Sequence, residues 1–152
     1  MAGTIYPNES NRPTQSYGER KTYESLKRNL PNSWRAWHSL SLNAHSYRES
    51  EADFVIASPE YGFVVLEVKA GNIALRDGRW SQNDKTLERG PIEQAADFAY
   101  ALCDRIKRET GLIVPFTTMA VFPDVDADFG ALPDNYVSRT IVGSRLPYMI
   151  DS

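Results

Sequence analysis

Glu51-Ala-Asp53-Phe-Val-Ile-Ala-Ser-Pro-Glu60-Tyr-Gly-Phe-Val-Val-Leu-Glu67-Val-Lys69 is the stretch that decides the fold. Phe54 to Ala57 and Phe63 to Leu66 are apolar, β-prone runs, and Ser58 to Gly62 supplies Pro and Gly between them. That pattern predicts a β-hairpin. If Ala57 faces Phe63, Asp53 falls opposite Glu67 and Lys69 opposite Glu51. Opposite residues share a face, with Cβ atoms roughly 4.5–5.5 Å apart. Residues two apart on a strand also share a face, so Lys69 joins Glu67. Two carboxylates and an ammonium therefore converge at the open end of the hairpin. The carboxylates repel, and a hard divalent cation held by oxygens would remove the repulsion.

A plainer reading of the same residues is a solvated strand face. Lys69 and Glu51 would then form a surface ion pair worth ~0–1 kcal/mol. The flanking sequence weighs against it. Apolar residues run almost continuously up to the charges, as in a strand buried on both faces. Acids at the end of such a strand need a partner.

Working outward, the chain has 152 residues, enough for one domain with a real core. Charged residues make up 24% and hydrophobic ones 41%, which excludes a disordered chain. A net charge of −3 excludes a generic polycation that coats nucleic acid. Any nucleic-acid contact must come from a local basic patch or a bound metal. Cys103 is the single cysteine, so neither an internal disulfide nor a cysteine-based zinc site is expected. A reducing, cytoplasmic setting is the expectation. The first residues lack the basic-then-apolar pattern of a signal peptide, and no apolar run approaches a membrane span.

Residues 1–15 read as an irregular lead-in to a domain over 16–152. Ser16-Tyr-Gly-Glu19 has capping-box spacing, and a helix is expected from Tyr17 to Asn29, ended by Pro31. Glu19 is either the N3 partner in that cap or a third carboxylate facing the hairpin. Trp34 to Leu42 reads as a strand with Ala36, His38, Leu40 and Leu42 on one face. His38 and His45 have no neighbour at metal-ligand spacing and read as structural. Asp77-Gly78 marks a second hairpin between Ile73–Arg76 and Arg79–Ser81, with Trp80 on the core beside it. Gln82 to Gly90 reads as a polar loop. Pro91 opens a second helix with an apolar stripe at Ile92, Ala95, Ala96, Ala99, Leu102, Cys103 and Ile106, closed by Gly111. Leu112 to Phe122 is a further strand, Pro123 to Asp128 a solvated acidic turn, and Tyr136 to Val142 a final strand. This order predicts an α/β chain of α+β type: a mixed sheet with helices packed on it.

These residues resemble the nuclease-related domain family, a branch of the PD-(D/E)xK nuclease superfamily. The marks are Gly18-Glu19, Glu51-Ala-Asp53, Val65-Leu-Glu67-Val-Lys69, Gly71-Asn72-Ile73, Gly78-Arg-Trp80 and Pro91-Ile-Glu-Gln94, in that order over roughly residues 16 to 110. Two positions depart from the pattern. Ala52 stands where the namesake proline precedes the aspartate. Phe98 stands where related nucleases often carry a tyrosine. The resemblance implies a restriction-endonuclease-like core, a central mixed β-sheet flanked by helices. It implies a Mg²⁺- or Mn²⁺-dependent endonuclease that cleaves DNA phosphodiester bonds. Asp53, Glu67 and the Val68 carbonyl would bind the ion. Lys69 would orient or activate the attacking water, Glu19 would bind or orient a second ion or its water, and Gln94 would hold the site or the phosphate. A helicase or other DNA-processing module is the implied partner. Two other classes stay open: a nucleic-acid-binding module with a degenerate site that serves such a partner, and a structural domain whose acids face solvent.

Overall fold

The hairpin forms at the register expected from its sequence. In the computed structural model, which describes residues 3–6, 17–42, 50–125, 132, 136 and 138–148, Ser50–Ser58 and Gly62–Val68 pair antiparallel, with Ala57 facing Phe63. The elements in order are β1 (Thr4–Tyr6), α1 (Tyr17–Asn29), β2 (Arg35–Leu42), β3 (Ser50–Ser58), β4 (Gly62–Val68), β5 (Ile73–Arg76), β6 (Arg79–Gln82), β7 (Lys85–Thr86), α2 (Pro91–Thr110), β8 (Phe116–Phe122) and β9 (Thr140–Val142). A 3₁₀ turn covers Gly143–Tyr148.

The main sheet has the order β1-β2-β3-β4-β8-β9. It is mixed: β2-β3 and β3-β4 are antiparallel, whereas β4-β8, β8-β9 and β1-β2 are parallel. The parallel pairing of β4 with β8 explains the position of α2, because parallel neighbours need a crossover and a helix is the usual one. The result is the restriction-endonuclease-like core, with one helix on each face of the sheet. Tyr23, Leu26 and Leu30 of the α1 region pack with Ala36, Phe54, Ile56, Leu66 and Val68 on one face. Ala95, Phe98, Ala99 and Leu102 of α2 pack with Val55 and Val65 on the other. β3 and β4 are thus covered on both sides, which is why their sequences are nearly continuous apolar runs.

Several boundaries follow from local chemistry. Gly111 closes α2 at φ 76° and donates its N–H to the Lys107 carbonyl, which glycine does without a Cβ clash. Asp77 and Gly78 take φ 52° and 75°, the left-handed pair that a tight two-residue hairpin requires. In α2, Phe98 is buried at the centre of the helix face, while Ala96 and Cys103 of the expected stripe are only half-buried.

Four expectations need correction. The lead-in contains β1, which pairs with β2 because Ile5 buries its side chain in the α1-side core. The loop after Gln82 contains β7. Asn83 and Asp84 both take positive φ, at 51° and 68°, and make a second tight turn. The final strand is shorter than Tyr136–Val142. Tyr136 instead buries its ring under α2, where its hydroxyl donates to Glu93 and accepts the Ile92 N–H. The alternation along β2 breaks at Ser39. Ala36 lies on the α1 side, whereas Leu40 and Leu42 lie on the α2 side. Ser39 has φ 56°, a conformation costing an L-residue roughly 1–2 kcal/mol. His45, Ser16, Asp126 and Asp128 lie outside the described residues.

Candidate active site

The ladder between β3 and β4 ends with Phe54 facing Leu66. Asp53 is the next residue of β3, and it sits where the chain changes face. Ala52 packs with the α2-side core and Phe54 with the α1-side core. Ser39, the partner position on β2, makes the same switch. The Asp53 side chain takes over where the backbone ladder stops: Oδ2 accepts the Val68 N–H at 2.8 Å. β4 continues along β8 through the Lys69 N–H, which donates to the Val121 carbonyl at 2.9 Å. This bond fixes the backbone of Glu67-Val68-Lys69.

Glu67 lies between Leu66 and Val68 and is itself buried, with 9% of its surface exposed. Lys69 Nζ stands 3.2 Å from Glu67 Oε1, and both side chains are largely covered. The ammonium therefore pairs along its own strand with Glu67. The surface ion pair with Glu51 that the plainer reading required is not the one made: Glu51 is exposed and the ladder ends before it.

The electrostatics follow from burial. Burial pushes the Asp53 carboxyl up to about 6; the Val68 N–H opposes this and the Glu19 charge adds to it. Burial pushes Glu67 up to about 8, reinforced by Asp53 and opposed by Lys69. A positive group added between these two acids favours their ionised forms.

Glu19 enters from α1. Gly18 permits this approach: a Cβ there would stand 2.7 Å from Pro123 Cγ and 2.8 Å from the Ala70 Cβ. The Glu19 carboxylate faces His38, with Oε2 2.9 Å from Nε2, and its charge reaches both Asp53 and Glu67. Gln94 stands in the first turn of α2. Its amide donates to the Arg89 carbonyl at 3.1 Å and tightens the entry to α2.

Two neighbours of these groups escaped the sequence reading. His38 has a partner nineteen residues away, on another element. Asp124 ties the turn after Lys69 to α1: Oδ2 accepts the Gly71 N–H at 2.7 Å and Oδ1 meets Lys21 Nζ at 3.3 Å. The Gly-Glu dipeptide opening α1 was the available signal for the first, since a glycine there marks close approach. The second had none beyond an acidic turn.

The nuclease-related domain model matches residues 14–123, which span α1, the whole hairpin, α2 and β8. The chain belongs to the nuclease-related domain family. No curated protein and no solved structure matches it significantly.

As a nuclease-related domain, the chain raises the question of a metal. Among the described residues no three His, Cys, Asp or Glu side chains are arranged to hold an ion by themselves. A hard ion that keeps most of its waters needs fewer, since Mg²⁺ commonly binds through one or two carboxylates. Asp53 and Glu67 supply hard oxygen donors whose ionised forms are disfavoured by burial, and the Asp53 charge adds to this at Glu67. The donor set fits such an ion. Among the described residues, no helix is long and apolar enough to cross a membrane.

Proposed function

We propose that this nuclease-related domain is a metal-dependent nuclease that hydrolyses phosphodiester bonds of DNA. The observation that carries the reading is the convergence of buried Glu67 and half-buried Asp53 beside the largely covered Lys69 ammonium, 3.2 Å from Glu67. Burial of acids with insufficient countercharge works against stability. It suits a site that receives a cation.

Asp53, Glu67 and the Val68 carbonyl would hold Mg²⁺ or Mn²⁺. When bound, such an ion supplies positive charge to the phosphate and lowers the pKa of its water. The chain's own residues do the rest. The Val68 N–H holds Asp53 in one orientation. Glu67 holds the Lys69 ammonium at the hairpin's open end, where it can orient the attacking water and offset charge developing on the phosphate. Glu19 adds a third acid on the α1 side. The net charge of −3 leaves little general attraction for nucleic acid, so affinity rests on the ion and on local contacts, or on a DNA-processing partner such as a helicase module.

The test is cleavage of plasmid, linear and single-stranded DNA and of RNA, in EDTA, Mg²⁺ and Mn²⁺. Cleavage of DNA restored by either ion supports the proposal. Absence of cleavage with every substrate and ion overturns it and leaves the nucleic-acid-binding module.

A further inference from the structure

His38 is a buried imidazole, with 1% of its side chain exposed. Its ring stacks on Phe54 with centroids 4.6 Å apart and planes 12° from parallel. Tyr23 lies on it at 5.9 Å. Phe54 and Tyr23 are themselves fully buried, so the imidazole is held in one place by close packing. A phenyl ring would fill such a slot without bringing polar atoms into it. The imidazole must therefore be explained by what its nitrogens do.

The two nitrogens have different surroundings. Nε2 stands 2.9 Å from Glu19 Oε2. Nδ1 is buried and has no hydrogen-bond partner among the described residues. A proton on Nδ1 would be a buried donor with no acceptor, whereas a bare lone pair on Nε2 would face a carboxylate oxygen. Placing the proton on Nε2 avoids both penalties, and Nε2–H then donates to Glu19. Glu19 stands at the start of α1, next to Gly18, which lies against Ala70 beside Lys69. The hydrogen bond ties its carboxylate to an imidazole stacked on Phe54, the neighbour of Asp53.

We infer that His38 is a positioning residue, whose Nε2–H holds the Glu19 carboxylate toward Asp53 and Glu67 as the third acidic group of the site. The inference rests on the metal-dependent reading of that site. It makes the β2 strand an outer support of the acids. Groups that orient the acids of a metal site typically change metal affinity or activity 10–100-fold when removed.

The test is Mn²⁺ titration by calorimetry on wild type, His38→Phe, His38→Gln, Glu19→Gln and the His38→Phe/Glu19→Gln double variant. Phe keeps the ring and its stacking but removes the donor, and Gln returns a donor near the position of Nε2. Mn²⁺ affinity should fall about 10–100-fold in His38→Phe and recover substantially in His38→Gln. In the Glu19→Gln background, His38→Phe should change nothing further. Equal losses in both backgrounds without rescue by Gln would mean that His38 only fills the core, and would overturn the inference. So would wild-type affinity in His38→Phe. Failure of the wild-type protein to bind Mn²⁺ or cleave DNA overturns the proposed function and this inference with it. Nitrogen-15 spectra of the wild-type imidazole test the claim without any substitution. The Nε2–H tautomer is expected, and the Nδ1–H tautomer would overturn the inference even if His38→Phe did not fold.

Discussion

The Val68 N–H donates to Asp53 Oδ2 across the end of the hairpin at 2.8 Å. A side chain thus replaces the backbone acceptor at the point where the β3-β4 ladder stops. The carboxylate that the family resemblance assigns to the metal is the same group that finishes the hairpin. Its structural and chemical duties can be separated, because one needs an oxygen acceptor and the other a negative charge.

Asp53→Asn retains an oxygen to accept the Val68 N–H and removes the charge. Without divalent ion, this variant should be as stable as wild type or more so, while losing Mn²⁺ binding and cleavage. Asp53→Ala leaves the Val68 N–H without its acceptor and should cost ~1–3 kcal/mol. Urea denaturation of both variants, with and without Mn²⁺, measures the difference. Equal destabilisation by Asn and Ala would show that the charge itself holds the hairpin together.

The pH dependence follows from the same burial. Asp53 and Glu67 are raised to about 6 and about 8 from ordinary values of 3.8 and 4.5. In that window the native state binds more protons than the unfolded chain, so stability should fall as pH rises from about 4 to about 8 and level off above. The ion-free melting temperature should be higher at pH 5 than at pH 8. Asp53→Asn should flatten the slope, and Mn²⁺ should restore stability most at the alkaline end. A melting temperature that rises across this window in ion-free wild type would contradict the account.

Gly18 sets the approach of α1 to the site. Gly18→Ala places a methyl 2.7 Å from Pro123 Cγ and 2.8 Å from the Ala70 Cβ. Overpacking of this kind costs typically ~1–3 kcal/mol. The variant should also weaken Mn²⁺ binding, because Glu19 is the next residue and moves with the helix. Thermal melting and calorimetry on one preparation check both effects, and unchanged affinity would detach Glu19 from the site.

Tyr136→Phe offers a control away from the acids. The lost hydroxyl serves both the Ile92 N–H and Glu93 at the start of α2. Stability should fall by ~1–3 kcal/mol, with cleavage by the folded fraction intact. Loss of cleavage in the folded fraction would extend the site to the N-terminus of α2.

The hairpin, both helices and the register from Phe54 to Ser58 were legible because each rests on local pattern. Apolar runs, a Pro-Gly turn, a proline at N1 and a glycine stop act over a few residues. The role of His38 was illegible because its partner Glu19 is brought to it by packing of α1 on the sheet. Its position in an alternating strand looked ordinary, and the switch at Ser39 leaves no mark in a sequence of Ser-Leu-Ser-Leu. β1 was hidden for a related reason: Thr4–Tyr6 becomes a strand only because β2 offers it an edge.

Lys69 tests the central claim most directly, because it separates catalysis from an ordinary ion pair. Its ammonium meets Glu67 at 3.2 Å in a largely covered position. Single-turnover cleavage of plasmid DNA in Mn²⁺ should be compared between wild type and folded Lys69→Ala, with DNA affinity measured in parallel. The account predicts a rate reduced by ~10²–10³-fold, the scale for loss of one transition-state contact, with DNA affinity little changed and poor rescue by Lys69→Arg. Cleavage by Lys69→Ala at the wild-type rate would contradict it.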